Sequence, residues 1–282
     1  MSATLKLLGT APLSARIGMG MVLITLLAAI FAPVIAPYSE TEVAGDVWLP
    51  ASGDHWVGTD NLGRDLFSRL VYGARNTIAI AFLITALSFV VGIIWGFVAA
   101  TVGGWIDQLL SRCVDILMAF PTLIFALMVL SVVGTSIPAL VVVIALLDST
   151  RVYRLSRAVA MDIEVMEFVE AARLRGEGLW WLMRHEILPN AMPPLVAEFG
   201  LRFCFVFLFI AALSFLGLGI QPPAADWGSM VRENSGAITF GIFTPLWPAG
   251  AIAFLTVYPG AAGTDRAADR LHRPLPNRAF RR

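Results

Sequence analysis

The chain has 282 residues, room for one or two soluble domains, yet 58% of them are hydrophobic, only 14% are charged, and the mean hydropathy is +0.78. Soluble chains carry about 25% charged residues, and no soluble core of this size hides so much apolar surface, so much of the chain is expected to lie in lipid. Twenty basic residues balance twenty acidic ones, which excludes the electrostatic footprint of a nucleic-acid binder.

A membrane-crossing helix needs about 20 apolar residues. Residues 17–37 carry no charge, and they exceed the roughly 7–15 residues of a signal-peptide core. They are expected to form a retained first helix ending near Pro33 and Pro37. A polar segment follows, His55-Trp56-Val57-Gly58-Thr59-Asp60-Asn61-Leu62-Gly63-Arg64-Asp65, continuing through Ser68-Arg69 to Tyr72-Gly73-Ala74-Arg75. Gly58-Thr59-Asp60 and Gly63-Arg64-Asp65 suit tight turns whose aspartates accept backbone N–H bonds and pair with arginines. Two readings stand: a capped, amphipathic lead-in to the next helix, or a ligand-binding segment.

Residues 76–106 are uncharged and hold the second span, with Gly92 and Gly96 inside it. Residues 116–147 are also uncharged, but Gly134 and Pro138 divide them into two helices, the fourth span running from about Pro138 to Leu155. Asp148 is expected near the cytoplasmic end of that span, and a charge at mid-helix costs about 2.5–3.5 kcal/mol. It reads either as a pathway or gating charge or as an i,i+3 partner of Arg151. From Met161 to Pro194 the chain turns polar. Val165, Phe168, Val169 and Ala172 share one helical face, Glu164, Glu167 and Glu170 another, and Arg173 follows Glu170 by one turn. Gly176-Glu177-Gly178 stops this helix, residues 179–187 can form a second short one, and Pro189 is expected to end it. The resulting helix–turn–helix reads as a protein-docking element or as an amphipathic helix resting on lipid. Residues 195–220 form the fifth span, and 238–257, interrupted by Pro245 and Pro248, a weaker sixth.

The expected architecture is therefore an all-α, polytopic membrane protein of about six transmembrane helices. Its segments are the N-terminus and first helix (1–37), an external loop (38–75), a core (76–257) containing the cytoplasmic loop 161–194, and a tail (258–282). With six spans, Lys6, Arg16, Arg112 and the arginines of the Arg151–Arg184 segment share one side, nine basic residues against the four of Arg64, Arg69, Arg75 and Arg232. The positive-inside rule places the nine in the cytoplasm.

The chain has one lysine, Lys6, lying between Leu5 and Leu7. A phosphate-binding P-loop needs a lysine after a glycine-rich turn, so none is expected here. Cys113 and Cys204 suggest neither disulfide nor zinc, and His55, His185 and His272 fit no metal-ligand spacing. Catalytic residues, bound cofactors and metals are not expected.

Glu170-Ala171-Ala172, then Gly176, then Leu188-Pro189 resembles the "EAA" loop of ABC-importer permeases, E-A-A-x3-G followed by L-P. The external Gly58-Thr59-Asp60, Gly63-Arg64-Asp65, Ser68-Arg69 and Tyr72-Gly73-Ala74-Arg75 run resembles the dipeptide/oligopeptide/nickel branch of that family. Ala119-Phe120-Pro121 and Ser214-Phe215-Leu216-Gly217-Leu218-Gly219 look like the same branch, and the extra first helix looks like its C-type partner. The resemblance covers roughly residues 15–257. It implies the ABC importer permease fold in a bacterial cytoplasmic (inner) membrane. The chain would form the translocation path for peptides or a related small substrate such as chelated nickel. Implied partners are two ABC ATPase subunits that bind the ATP, a second permease subunit, an external substrate-binding protein and the lipid bilayer. The EAA loop would seat on an ATPase. Arg175 stands where the family carries a small or apolar residue. Beyond Val257 the sequence departs from the family pattern, as a disordered end or as translation of a shifted reading frame.

Two other functions would fit a polytopic chain. An ion-coupled secondary transporter is expected to show internal repeats with broken helices at matching positions, and no convincing repeat is evident. An intramembrane enzyme needs a nucleophile and base buried together, and the histidines are scattered over separate loops.

Overall fold

The structure, a computed structural model, describes residues 13–256. Lys6 and the tail 258–282 lie outside the described residues. Within them the chain is helical, with two isolated bridges, Val43 to Arg64 and Thr59 to Asp65, in the segment before the longest helices. Apart from the single turn Ala32–Ile35 and the 3-10 turn Ser235–Phe240, the helices in chain order are α1 (Leu13–Ile30), α2 (Leu66–Val102), α3 (Gly104–Ala119), α4 (Thr122–Val133), α5 (Ile137–Glu164), α6 (Glu167–Leu174), α7 (Leu179–Phe215), α8 (Trp227–Asn234) and α9 (Leu246–Thr256).

Two helices, α2 and α7, are each long and apolar enough to cross a membrane, and α3 with α4 forms a third candidate bent by 90°. The sequence placed the second span at 76–106, but α2 begins ten residues earlier and has 37 residues. At about 1.5 Å per residue it is roughly 55 Å long, well beyond the ~30 Å hydrocarbon layer, so one end projects. The polar residues of that projecting end are packed against the preceding loop, which is why they remain helical. Sequence reading also missed the corner at Phe120-Pro121. The residue before a proline is driven out of the α region, and Phe120 is extended (φ −91°, ψ 141°), so the chain turns there as well as at Gly134. The fourth helix starts as expected, with Ser136 accepting from Ala139 N–H (3.4 Å) and Pro138 in the first turn, but it runs on to Glu164.

The largest difference is at Pro189. Residues 179–187 do not stop there. The helix widens into a π turn over Met183–Ile187 and continues through Pro189, Pro193 and Pro194 to Phe215. Widening accommodates prolines, which lack an N–H to give the preceding turn, and Asn190 Nδ2 donates to the Glu186 carbonyl at 2.6 Å. The expected sixth span also differs, its helix being too short to count among the membrane-crossing candidates. Ser235–Phe240 is a 3-10 turn ended by Gly241 at φ +73°, and α9 begins only at Leu246.

Small residues set the closest packing. A Cβ on Gly92 would lie 2.6 Å from Val152 Cβ and one on Gly96 2.1 Å from Ser156 Oγ, so α2 and α5 touch almost backbone to backbone. Ser156 Oγ donates to the Gly92 carbonyl at 2.9 Å across that contact. Two buried apolar clusters result. One joins Leu66, Ile78, Ile84, Leu140, Ile144, Phe207, Leu213 and Met230, and the other joins Phe89, Phe97, Val152, Ile163, Val169, Ala172, Leu182 and Ile187. Large apolar side chains such as Ile24, Ile30, Phe82, Val90, Val132 and Val196 point outward instead. Exposed apolar surface of this extent is what a lipid-facing chain presents.

Candidate functional sites

The segment before α2 folds into a clasp on that helix's projecting end. Gly58 (φ +89°) and Gly63 (φ +74°) form its two turns, and a Cβ there would lie 2.3 Å from the Leu49 carbonyl oxygen and 2.1 Å from that of Gly45. Only glycine meets both demands. Thr59 is buried, its hydroxyl accepting from Leu49 N–H at 2.8 Å and donating to the Asp46 carbonyl at 2.6 Å. Asp65 is the N-cap of α2, with Oδ2 accepting from Ser68 N–H (2.8 Å) and Ser68 Oγ (2.7 Å) and Oδ1 lying 3.0 Å from His55 Nδ1.

Asp60 plays a larger part than a cap. Its Oδ1 accepts from the backbone N–H groups of Leu62 (2.8 Å) and Arg64 (2.9 Å). Its Oδ2 accepts from Arg64 Nε at 2.7 Å and Arg69 Nη1 at 2.5 Å. Glu233, on α8, accepts from Arg64 Nη2 (3.0 Å) and Arg69 Nη1 (3.1 Å). Asp60 and Arg69 are fully buried. Burial alone would raise the Asp60 carboxyl, but the N–H groups of Arg64 and Leu62, then Arg69, hold it below the usual carboxylate range. Neighbouring bonds reinforce the clasp: Asn234 Oδ1 accepts from Asn61 N–H (3.0 Å) and Trp48 Nε1 (3.3 Å), and Trp227 Nε1 donates to the Leu70 carbonyl (2.8 Å). The sequence brought Gly58, Thr59, Asp60, Gly63, Arg64 and Asp65 forward. It placed His55 at the start of the segment without a partner, and it gave no sign of Glu233 or Asn234, whose roles depend on contacts up to 186 residues apart.

On the opposite end, α5 stops at Glu164 and the chain breaks at Val165-Met166 before α6. The expected single apolar face is therefore split. Val169 and Ala172 are fully buried against the ends of α2, α5 and α7, whereas Val165 is 83% exposed and Phe168 is exposed as well. Arg173 pairs with Glu164 rather than Glu170, because the break folds the end of α5 back alongside α6. Glu170, Ala171 and Gly176 are exposed. Gly176 takes φ +85°, the left-handed conformation of a helix C-terminal glycine, with its N–H donating to the Arg173 carbonyl at 2.9 Å. A Cβ on it would meet nothing within 4 Å. Leu188 and Pro189 lie in α7, directly after the π turn, with Leu188 half-buried and Pro189 exposed.

Asp148 is buried inside α5 and is not a simple i,i+3 partner. Its Oδ1 lies 3.9 Å from Arg151 Nη1 and 3.8 Å from Arg202 Nη1. Arg202, which the sequence reading did not single out, is bonded through Nε to Glu198 at 2.6 Å.

A family profile described as "Binding-protein-dependent transport system inner membrane component" matches residues 89–273. That match runs past Val257, where the sequence resemblance was expected to end. The dipeptide transport system permease protein of Alkalihalophilus pseudofirmus is 35% identical over 242 residues, covering 84% of this chain and 79% of that protein. A glutathione transport system permease protein of Pectobacterium atrosepticum is 34% identical over 206 residues, covering 73% and 68%. Among solved structures, an inward-facing MetNI methionine ABC transporter aligns with a TM-score of 0.57 at 22% identity, over 74% of this chain and 98% of that one. An amino acid ABC transporter aligns with a TM-score of 0.53 at 20% identity, over 72% and 94%. Those structures share the fold. The profile match and the relatives at 34–35% identity make the chain a member of the family of inner membrane components of binding-protein-dependent transport systems.

Proposed function

We propose that the chain is one permease subunit of an ATP-driven ABC importer in a bacterial cytoplasmic membrane, carrying peptides or a related small substrate such as chelated nickel. It crosses the bilayer six times, through α1, α2, the bent α3–α4 pair, α5, α7 and α9, with the N-terminus and the 161–194 loop in the cytoplasm. Two ATPase subunits dock beneath it, a second permease completes the path, and an external binding protein delivers substrate. The dipeptide and glutathione permeases among the relatives support the substrate class.

The observation that carries the coupling role is the two-sidedness of α6. Val169 and Ala172 are locked into the cluster shared by α2, α5 and α7, while Glu170, Ala171 and Gly176 face outward. A push on the outer face therefore moves three long helices as a rigid body. Gly176→Val tests this. The substitution strains a left-handed residue by about 1–2 kcal/mol but meets no other part of the chain. The permease should insert and fold, while ATPase co-purification and substrate-stimulated ATP hydrolysis in proteoliposomes are lost. Glu170→Ala should weaken attachment less, since an exposed charge pair is worth about 0.2–1 kcal/mol. Wild-type attachment and stimulation in Gly176→Val would make the loop a lipid-resting element instead.

A further inference from the structure

A cavity of about 420 Å³ opens between α4, α5 and α7, lined among others by Thr122, Asp148, Arg151, Arg202, Phe205 and Phe209. Its volume falls within the roughly 300–1,000 Å³ of small-molecule sites. Asp148 lies about three turns into α5, and Arg202 about three to four turns before the end of α7, so the charges sit deep within the spans rather than at their ends.

The charges there are incompletely matched. Asp148 is only 6% exposed, yet among the described residues no donor reaches its Oδ2. Its Oδ1 is 3.8–3.9 Å from both arginines, too far for a direct hydrogen bond. Arg202 is held in place by Glu198 through Nε and lies over the Phe205 ring at 5.5 Å. Arg151 is steadied by a 3.3 Å bond from Nη2 to Thr122 Oγ1. Charged side chains within membrane spans mark pathways and are paired when they are structural. Here a buried carboxylate keeps one oxygen open beside two guanidinium groups that do not close on it.

We infer that Asp148, Arg151 and Arg202 form a transit site for a zwitterion, with Asp148 receiving an ammonium group and the two arginines a carboxylate. A short peptide with both termini free carries those two groups on one small molecule. The inference rests on the peptide reading of the proposed function and adds that the membrane subunit itself recognises both termini. Phe205 and Phe209 supply the apolar wall for side chains.

The test uses the complete transporter in nanodiscs without its binding protein, with radiolabelled dialanine, N-acetyl-dialanine and dialanine amide as probes. In the wild type, removing either terminal charge should weaken saturable binding at least tenfold. Asp148→Asn should abolish the preference for dialanine over its acetylated form, and Arg202→Gln the preference over its amide. Asp148→Glu and Arg202→Lys, which keep the charges, should restore most of each preference and show that the complex still folds. Undiminished preferences in the neutral variants, or no saturable binding to the wild type, overturn the site. A parallel uptake assay with the binding protein present separates the two readings. Dipeptide uptake with no terminal-group preference removes only this site, whereas no dipeptide uptake removes the peptide reading and the site with it.

Discussion

Asp60→Ala should be among the most damaging single changes outside the spans. Asp60 accepts four hydrogen bonds, two from backbone N–H groups and two from guanidinium groups, and neither it nor Arg69 reaches solvent. An N-cap aspartate replaced by alanine costs about 0.5–2 kcal/mol. Removing one partner of a buried ion pair costs about 3–5 kcal/mol, because the opposite charge stays buried. Glu233 remains to face Arg64 and Arg69, but it is one carboxylate for two guanidiniums. The larger figure therefore applies, a factor of roughly a hundred to several thousand in the folding equilibrium at about 1.4 kcal/mol per tenfold. Fluorescence-detected size exclusion of the detergent-solubilised permease, after a heating series, measures it. A sharp loss of the folded peak at temperatures the wild type survives is expected, and Asp65→Ala should lose clearly less. Equal, small losses for both would mean that Asp60 is only another cap and that the Arg64–Arg69–Glu233 network carries no weight.

The same carboxylate predicts an acid limit. Its folded-state pKa lies below the ordinary value, so its stabilisation is whole above about pH 4 and falls away as pH drops through the folded value. Thermal midpoints of the wild type should decline below about pH 4 more steeply than those of Asp60→Asn. Gly96→Leu should separate α2 from α5, since even a Cβ would lie 2.1 Å from Ser156 Oγ and 2.9 Å from Arg157 N; overpacking costs about 1–3 kcal/mol or more, read as lower folded yield, with Gly96→Ala intermediate. A reporter enzyme fused after Arg175 should stay cytoplasmic and one inserted after Gly53 should be exported; the opposite pattern would contradict the membrane orientation.

Local chemistry was legible in the sequence wherever one residue decides the backbone. Gly176 at φ +85°, the Gly58 and Gly63 turns, the Asp65 cap and the break between Gly134 and Pro138 all follow from side-chain sterics or short-range hydrogen bonds. Composition likewise shows that the chain belongs in lipid. Features resting on distant partners were not legible. Nothing near Asp60 announces Glu233, and nothing in α5 announces Arg202. Proline misled in both directions: Pro189 reads as a helix end, yet a π turn carries the helix past it, while Pro121 lay inside an uninterrupted apolar run and turned the chain by 90°. Helical periodicity also joined Val165 to Val169 on one face, although the break at Val165-Met166 puts them on different elements.

The measurement that bears most directly on the assigned role is uptake of a labelled dipeptide into proteoliposomes holding this chain, its partner permease, the ATPases and the binding protein. The account predicts accumulation that requires internal or ATPase-side ATP, stops when the ATPase can no longer hydrolyse it, and persists when proton and sodium gradients are collapsed. Uptake that continues without ATP hydrolysis and follows an ion gradient would contradict it and make the chain a secondary transporter.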